Sequence, residues 1–338
     1  MKIKKLAVLL PTYNAAQYIK ESIDSVLNQS FGNFDLFIYD DFSTDDTEEI
    51  ISHYKDTRLF YRKNTSNFGI AKTLNKGLDE LLPHYEYIAR MDADDLSHPE
   101  RFGKQLAYLD KNREIILCGT QGYWLKDLNQ NPSVGWEYPA DSEYIKYYLL
   151  FAATFGHSSV VFRSQSIASH NLRYDETITT CEDWELWVRI SKIGKMANLP
   201  DFLMKYRILE NSNHRSPIKI KKHFEERSKI ISGYWSVFNI ALSPEQVFEF
   251  YYDDKVLSKS DFLKKIKLLI SVFNTFQANN LHALSSGDTN NFCYMLARRL
   301  LDYWKRSKVS RFDPEVWVVI VKKVTFIDKI KLLRSILR

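Results

Sequence analysis

Residues 85–99, YEYIARMDADDLSHP, constrain this chain more than any other stretch. The apolar run ending at Met91 reads as a buried strand, and Asp92, Asp94 and Asp95 follow within four residues, where that strand should stop. Carboxylates crowded at the lip of a sheet repel one another and lose solvation, so the chain needs a reason to hold them there. A divalent cation supplies one: Mg²⁺ and Mn²⁺ take carboxylate oxygens and complete their coordination with substrate phosphates. The competing reading is a helix N-cap, with Asp95 or Ser97 capping a helix that begins near Pro99 and carries Glu100 in its first turn. A cap occupies one acidic side chain and leaves the other two without a role.

Upstream of that strand two periods alternate. Residues 6–10 are a continuous apolar run, as in a parallel strand buried on both faces, and 16–27 follow with helical spacing at Tyr18, Ile19, Ile23, Val26 and Leu27. Further strands are expected at 34–39 and 59–61, and helices at 45–54 and 70–82, the first of these announced by Ser43, Thr44, Asp45 and Asp46. The alternation predicts an α/β fold, a mostly parallel twisted sheet with helices on both faces. Such sheets bind ligands beyond the carboxyl ends of their strands. The polar clusters fall there: PTYN after the first strand, DDFSTDD after the second, MDADD after the fourth. No GxGxxG follows the first strand and no GxxxxGKS/T occurs anywhere, which disfavours dehydrogenases and P-loop NTPases. Neutralising a diphosphate then falls to a metal.

At 338 residues the chain has room for one large domain with an extension, or for two domains. A hydrophobic share of 45% with 14% aromatics excludes disorder. No apolar run is long enough to cross a bilayer, and the opening MKIKKLAVLLPTYN breaks at Pro11, which makes it a strand and not a signal peptide. Cys118, Cys181 and Cys293 are odd in number and widely spaced, in keeping with a reducing cytosol and with neither a disulfide framework nor a zinc site. A net charge of +5 gives no argument for nucleic acid.

PTYN at 11–14, DDFSTDDT at 40–47, NFGIAKTLNKGL at 67–78, MDADD at 91–95 and CEDWELWVRI at 181–190 resemble, in this order, the inverting family 2 glycosyltransferases of the GT-A fold, over residues 4–215. The resemblance implies a catalytic domain over 1–215, with a nucleotide-binding half at 1–118 and an acceptor-side half at 119–215 that begins irregularly. It implies transfer of a sugar from a nucleotide-diphosphate donor, expected to be UDP-linked, to a hydroxyl of a saccharide or lipid-linked saccharide. Pro11, Thr12, Tyr13, Asn14 and Asp41 would hold base and ribose, with Asn67 and Gly69 in the loop to the third helix and Lys72 toward a phosphate. An Asp41 carboxylate accepting from a uracil N–H and a Tyr13 ring stacking on a flat base are sound chemistry by themselves. Helix capping is the alternative for Asp40 and Asp41, and a solvated helix face for Lys72. Phe42 stands where relatives carry glycine.

Asp92 corresponds to the ribose side of the family's DxD-type site, and Asp94 to the ligand of a Mn²⁺ or Mg²⁺ that bridges the donor diphosphate. His157, in FGHSSVVFR, resembles a family histidine that precedes an edge strand; it is a contact for acceptor or diphosphate, or a structural residue. Inverting displacement needs a base opposite the leaving group. The family's base is the Asp of the ED pair, here Asp183, with Glu182 as the reserve candidate; the alternative is the acidic first turn of a helix. Trp184 is a candidate sugar-stacking face, and Trp187 a core anchor. Relatives read YRxH where this chain has Leu209, so His214 is the candidate replacement as metal ligand or diphosphate contact, and Arg207 a candidate phosphate partner.

From residue 216 the resemblance fades. The QxxRW segment and membrane spans of processive synthases are missing, which favours single-sugar addition. Helices are expected at 218–240, 244–252, 259–276, 290–304 and 314–338. Residues 305–338 hold ten Lys/Arg against three Asp/Glu. That basic amphipathic pattern fits a peripheral contact with the inner face of a membrane, or a helix packed on the catalytic domain with its basic face in water. Two rivals stand beside the transferase: a sugar-phosphate nucleotidyltransferase, which would want a Gly-rich basic loop where PTYNAAQY stands, and a non-catalytic nucleotide-sugar-binding module.

Overall fold

A computed structural model describes residues 3–125, 135–209, 217–251, 256–280, 296–297, 300–301, 303–305, 307–310 and 313–323. The chain divides into two compact units, Met1–His223 and Phe224–Arg338.

The strands of the first unit are β1 (Lys4–Thr12), β2 (Phe34–Asp40), β3 (Leu59–Lys63), β4 (Tyr85–Arg90), β5 (Leu96–Ser97), β6 (Ile115–Leu125), β7 (Gly135–Trp136), β8 (Val161–Arg163) and β9 (Lys195–Arg207). They form one sheet in the order β3-β2-β1-β4-β8-β6-β9-β5, with β7 paired to β6. β3, β2, β1 and β4 are mutually parallel. β8 runs antiparallel to both β4 and β6, β9 is parallel to β6, and β5 is antiparallel to β9. The helices are α1 (Ile19–Leu27), α2 (Thr47–Ser52), α3 (Ile70–Leu81), α4 (Arg101–Lys111), α5 (Ser142–Leu149), α6 (Ser164–Ser169) and α7 (Glu182–Ile190), followed by α8 (Pro217–Ser236), which runs on into the second unit.

The parallel half follows from composition. Leu6, Ala7, Val8, Leu9 and Leu10 of β1 are at most 1% exposed, as a strand covered on both faces must be. Truncating one of these leucines to alanine would cost roughly 2–5 kcal/mol. α1 turns Ile19, Ile23 and Val26 inward, and α3 does the same with Leu74, Leu78 and Leu81.

Five residues connect β4 to β5, although three strands lie between them in the sheet order, so the sheet curls back on itself. Arg101 plugs the curl. It is fully buried, donates to the carbonyl of Arg90 at 2.9 Å, and reaches the sulfurs of Met91 and Met204 at 3.6 and 3.2 Å.

Three local expectations are corrected. The chain does not leave the sheet at 119: β6 continues to Leu125, with register shifts against β9 at Gln121, because Gly119 and Gly122 admit aromatic neighbours, a Cβ on Gly122 lying 2.2 Å from Trp136. The loop expected at 127–132 lies outside the described residues. β8, which follows His157, is an interior strand between β4 and β6, not an edge. Helix α4 starts at Arg101 after Glu100 with no side-chain cap, so neither Asp95 nor Ser97 is spent on capping it.

The second unit is helical, with α9 (Pro244–Tyr251), α10 (Lys259–Asn280) and α11 (Pro314–Lys323). It has its own core, including Trp235, Phe262, Ile266, Phe273, Leu300 and Val316. Trp304 packs on Phe262 and Trp317 with centroids 5.5 and 5.8 Å apart, and Lys259 pairs with Asp313 at 2.8 Å. Most of the helix expected at 290–304, and residues 324–338 of the last one, lie outside the described residues. Among the described residues no helix is long and apolar enough to cross a membrane.

Candidate active site

The carboxyl ends of β1 and β2 build one side of the site. Asp41, buried at the end of β2, donates its N–H to Thr12 O at 2.8 Å. Its Oδ1 accepts from Asn64 Nδ2 and Phe68 N, and its Oδ2 from Gly69 N, each at 2.8 Å. Asp41 is therefore the staple of the loop entering α3, placed where the helix dipole favours an anion. Asp40 is bound within its own turn, Oδ1 to Ser43 N and Oγ and Oδ2 to the Tyr61 hydroxyl. Asn14 holds a left-handed φ of 47° and accepts from Thr44 N through Oδ1. Pro11 and Thr12 close β1, and Thr12 Oγ1 is buried with no hydrogen-bond partner. Tyr13 and Asn67 are exposed, and the exposed Lys72 sets its ammonium 4.6 Å over the Phe68 ring.

Asp92, Asp94 and Asp95 form the centre. Their carboxylate oxygens lie within 4.8 Å of one another, a spacing that suits one hard divalent cation. Arg90, at the end of β4 and 2% exposed, is ion-paired with Asp92. Arg207 at the end of β9 holds the turn from the other side: its backbone N–H reaches Asp95 Oδ1 at 3.0 Å and its Nε reaches Asp94 O at 2.9 Å. The same guanidinium pairs with Glu21 and lies 4.8 Å over the Tyr18 ring, so α1, β9 and the acidic turn are tied at one residue. Burial, then the neighbouring Asp92 charge, push the Asp94 carboxyl up to about 6. The same causes, with Asp94 added, raise fully buried Asp95 well above the ordinary range.

Ser158 Oγ lies 2.6 Å from Asp92 Oδ2 and in short contact with Asp95 Oδ2, and it also accepts from Arg90 Nη1 at 3.0 Å. A hydroxyl carries one proton, so it serves both carboxyls only when one brings its own. Asp95 is the one whose burial favours that.

The 3₁₀ turn His157–Ser159 joins this centre to a second acidic group. Ser158 touches the turn of aspartates, and His157 Nδ1 lies 3.9 Å from Glu182 Oε1. Glu182 and Asp183 open α7. Burial, then the charge of Asp183, push the Glu182 carboxyl up to about 7. Burial, then Arg90, push His157 well down, so its imidazole is neutral. His157 Nε2 is 2.8 Å from the Tyr174 hydroxyl, and Asn75 of α3 clamps the Tyr174 backbone, Oδ1 to its N–H at 2.8 Å and Nδ2 to its carbonyl at 2.9 Å. Asp183 Oδ1 accepts from Trp184 N at 2.6 Å.

Of the residues singled out in the sequence, Pro11, Thr12, Asp41, Asp92, Asp94 and Arg207 stand at or just beyond strand ends, Tyr13, Asn14 and Asn67 in loops, Lys72 on α3, His157 in the 3₁₀ turn, and Glu182 and Asp183 at the start of α7. Trp184 is buried, its indole N–H donating to Leu149 O at 3.2 Å, and acts as core. His214 lies outside the described residues. The sequence reading missed Arg90, Ser158 and Tyr174. Arg90 carried a signal: it is the one basic residue inside the run 85–91 and stands two residues before Asp92, the spacing that puts two side chains on the same face of a strand. Ser158 and Tyr174 carried none, because their partners are more than sixty residues away or across a turn of irregular chain.

Comparison with known proteins agrees with this architecture. The sequence model described as glycosyl transferase family 2 matches residues 7–170. An uncharacterized glycosyltransferase of Methanocaldococcus jannaschii is 30% identical over 256 residues, 70% of this chain and 86% of that protein. The amylovoran biosynthesis glycosyltransferase AmsE of Erwinia amylovora is 34% identical over 142 residues, 42% of this chain and 51% of that one. Among solved structures, S. aureus TarS 1–349 in complex with UDP-GlcNAc superposes with a TM-score of 0.56 at 16% identity, covering 89% of this chain and 90% of that one. The mannosyltransferase PcManGT of Pyrobaculum calidifontis, in complex with GDP-Man and Mn²⁺, gives 0.52 at 15% identity over 100% of this chain and 88% of that one. The fold is GT-A, and the chain belongs to the family 2 glycosyltransferases.

Proposed function

We propose that this glycosyltransferase moves a single sugar, with inversion, from a nucleotide-diphosphate donor to a hydroxyl of a saccharide or lipid-linked saccharide acceptor in cell-surface polysaccharide synthesis. The observation that carries the reading is the 3₁₀ turn His157–Ser159, which lies between a cation-sized group of three aspartates and Glu182, whose carboxyl is pushed up to about 7 beside Asp183. Relatives point the same way: AmsE is named for amylovoran biosynthesis, and TarS and PcManGT hold UDP-GlcNAc and GDP-Man.

On this reading Asp41, Thr12, Tyr13 and Asn14 form the nucleoside end. The unpartnered Thr12 hydroxyl is a buried polar group that a ribose or base would satisfy. Lys72, whose ammonium lies 4.6 Å over the Phe68 ring, would swing from there to reach a phosphate. The aspartate turn fits Mn²⁺ or Mg²⁺, with Asp94 as ligand and Asp92 beside it; the oxygen donor set is the one such ions take. Bound there, the ion supplies Lewis-acid neutralisation of the departing diphosphate. Asp183 takes the acceptor hydroxyl's proton as its oxygen bonds to the anomeric carbon. The bond to the diphosphate breaks on the opposite face, and the nucleoside diphosphate leaves with the electron pair.

Glu182 keeps the pair's charge adjustable, and the basic C-terminal region gives a peripheral membrane contact for a lipid-linked acceptor. A screen of nucleotide sugars for Mn²⁺-dependent hydrolysis tests the donor side. Failure of every UDP- and GDP-sugar to turn over or bind would sink the proposal.

A further inference from the structure

Among the described residues of the first unit, the exposed large apolar side chains are the N-terminal Ile3 and three rings: Tyr13 at 51%, Phe42 at 43% and Phe68 at 36%. All three rings are rooted at Asp41. Its N–H donates to the carbonyl of Thr12, which precedes Tyr13; Phe42 follows it; and its Oδ1 accepts from Phe68 N. Lys72 covers one face of the Phe68 ring.

Phe42 is the outlier of the three. Its φ of 69° lies in the left-handed region, which a bulky side chain avoids. Asn14 nearby shares that region, but Asn is a type that visits it readily. The turn leaves Phe42 no choice: Asp40 Oδ1 captures Ser43 N and Oγ, while Oδ2 is fixed by Tyr61. Glycine would accept this backbone and expose no ring. The chain instead keeps a residue that is strained and has its ring in water, and both features oppose folding. The compensating gain therefore lies in something that binds.

We propose that Phe42 stacks on the nucleobase of the donor, a second aromatic face beside Tyr13 at the Asp41 end of the site. This rests on the nucleotide-diphosphate donor reading above. Stacking tolerates any base, so Phe42 sets how tightly the nucleoside is held, while hydrogen bonding to Asp41 sets which base is preferred.

Calorimetric titration of the full chain with UDP and Mn²⁺, and separately with inorganic pyrophosphate and Mn²⁺, tests the assignment. Phe42→Gly is expected to weaken UDP about tenfold, to leave pyrophosphate unchanged, and to hold or raise the thermal midpoint, because glycine relieves the strained φ. Phe42→Trp is expected to keep the UDP affinity. Unchanged UDP affinity in Phe42→Gly, or equal loss of UDP and pyrophosphate with a lowered midpoint, overturns the stacking role and leaves the donor reading intact. Wild-type protein that binds neither UDP, GDP nor pyrophosphate overturns the donor reading, and the stacking role with it.

Discussion

Two acidic groups share one 3₁₀ turn and differ in what surrounds them. Asp92, Asp94 and Asp95 are set among guanidiniums: Arg90 paired with Asp92, Arg207 bonded to the turn, Arg101 buried beneath it. Glu182 faces a neutral histidine backed by a tyrosine. Burial and a neighbouring carboxylate raise the proton affinity of Asp94 and of Glu182 alike. The difference lies in the partners. Guanidiniums keep their protons at physiological pH and hold the geometry of the turn, as a cation site requires, while Asp94 itself takes a proton up to about pH 6. The Glu182 side lacks such a clamp, and a carboxyl that titrates near neutrality suits proton exchange.

The largest expected effect comes from breaking the turn. Asp94→Asn should lower metal-dependent donor hydrolysis by roughly 10³-fold, with no recovery in excess Mn²⁺. Full turnover in that variant would reduce the aspartates to a structural cluster. Breaking the pair comes next. Asp183→Asn should lower transfer by about 10²-fold or more while UDP titration stays at the wild-type value. Lost UDP affinity would instead put Asp183 on the donor side and erase the contrast.

A smaller effect sharpens the pair's side. If the Tyr174 hydroxyl donates to Nε2, the neutral His157 ring carries its proton on Nδ1, 3.9 Å from Glu182 Oε1, and favours the ionised carboxylate. Tyr174→Phe removes that bias. Glu182 then depends on Asp183, Arg90 and Asp92, the other charges that bear on it. Transfer should fall about fivefold, the cost of one ordinary hydrogen bond. The acid limb of the rate profile should move upward. A lower rate with an unmoved limb would make Tyr174 a packing residue.

The same contrast runs through what the sequence made legible. The parallel half was readable because its information is local: an apolar run, then PTYN, DDFSTDD or MDADD at its end. The other half was not. β5 has two residues and β8 three, too few to carry a period. β6 contains Gly119 and Gly122, which read as loop but serve close ring packing. The acidic residues of the site were visible as clusters, while their neighbours Arg90, Ser158 and Tyr174 gain meaning only through contacts the fold creates. Trp184 shows the converse, an aromatic whose position suggested a ligand and whose burial assigns it to the core.

The smallest effect separates the two groups by thermodynamics. Glu182 binds its proton up to about pH 7 in the fold against an ordinary 4.5, and Asp94 up to about 6 against 3.8. Between each pair of values the folded chain holds a proton that the unfolded chain has released, so each carboxyl makes stability decline as pH rises through its window. A divalent cation competes with the Asp94 proton and has no such hold on Glu182. The thermal midpoint should therefore gain more from Mn²⁺ at pH 7 than at pH 5. The difference between Glu182→Gln and wild type should widen from pH 5 to pH 7 in the variant's favour, whether or not Mn²⁺ is present. If Mn²⁺ abolished that widening, the cation would be reaching Glu182, and the two acidic groups would be one site.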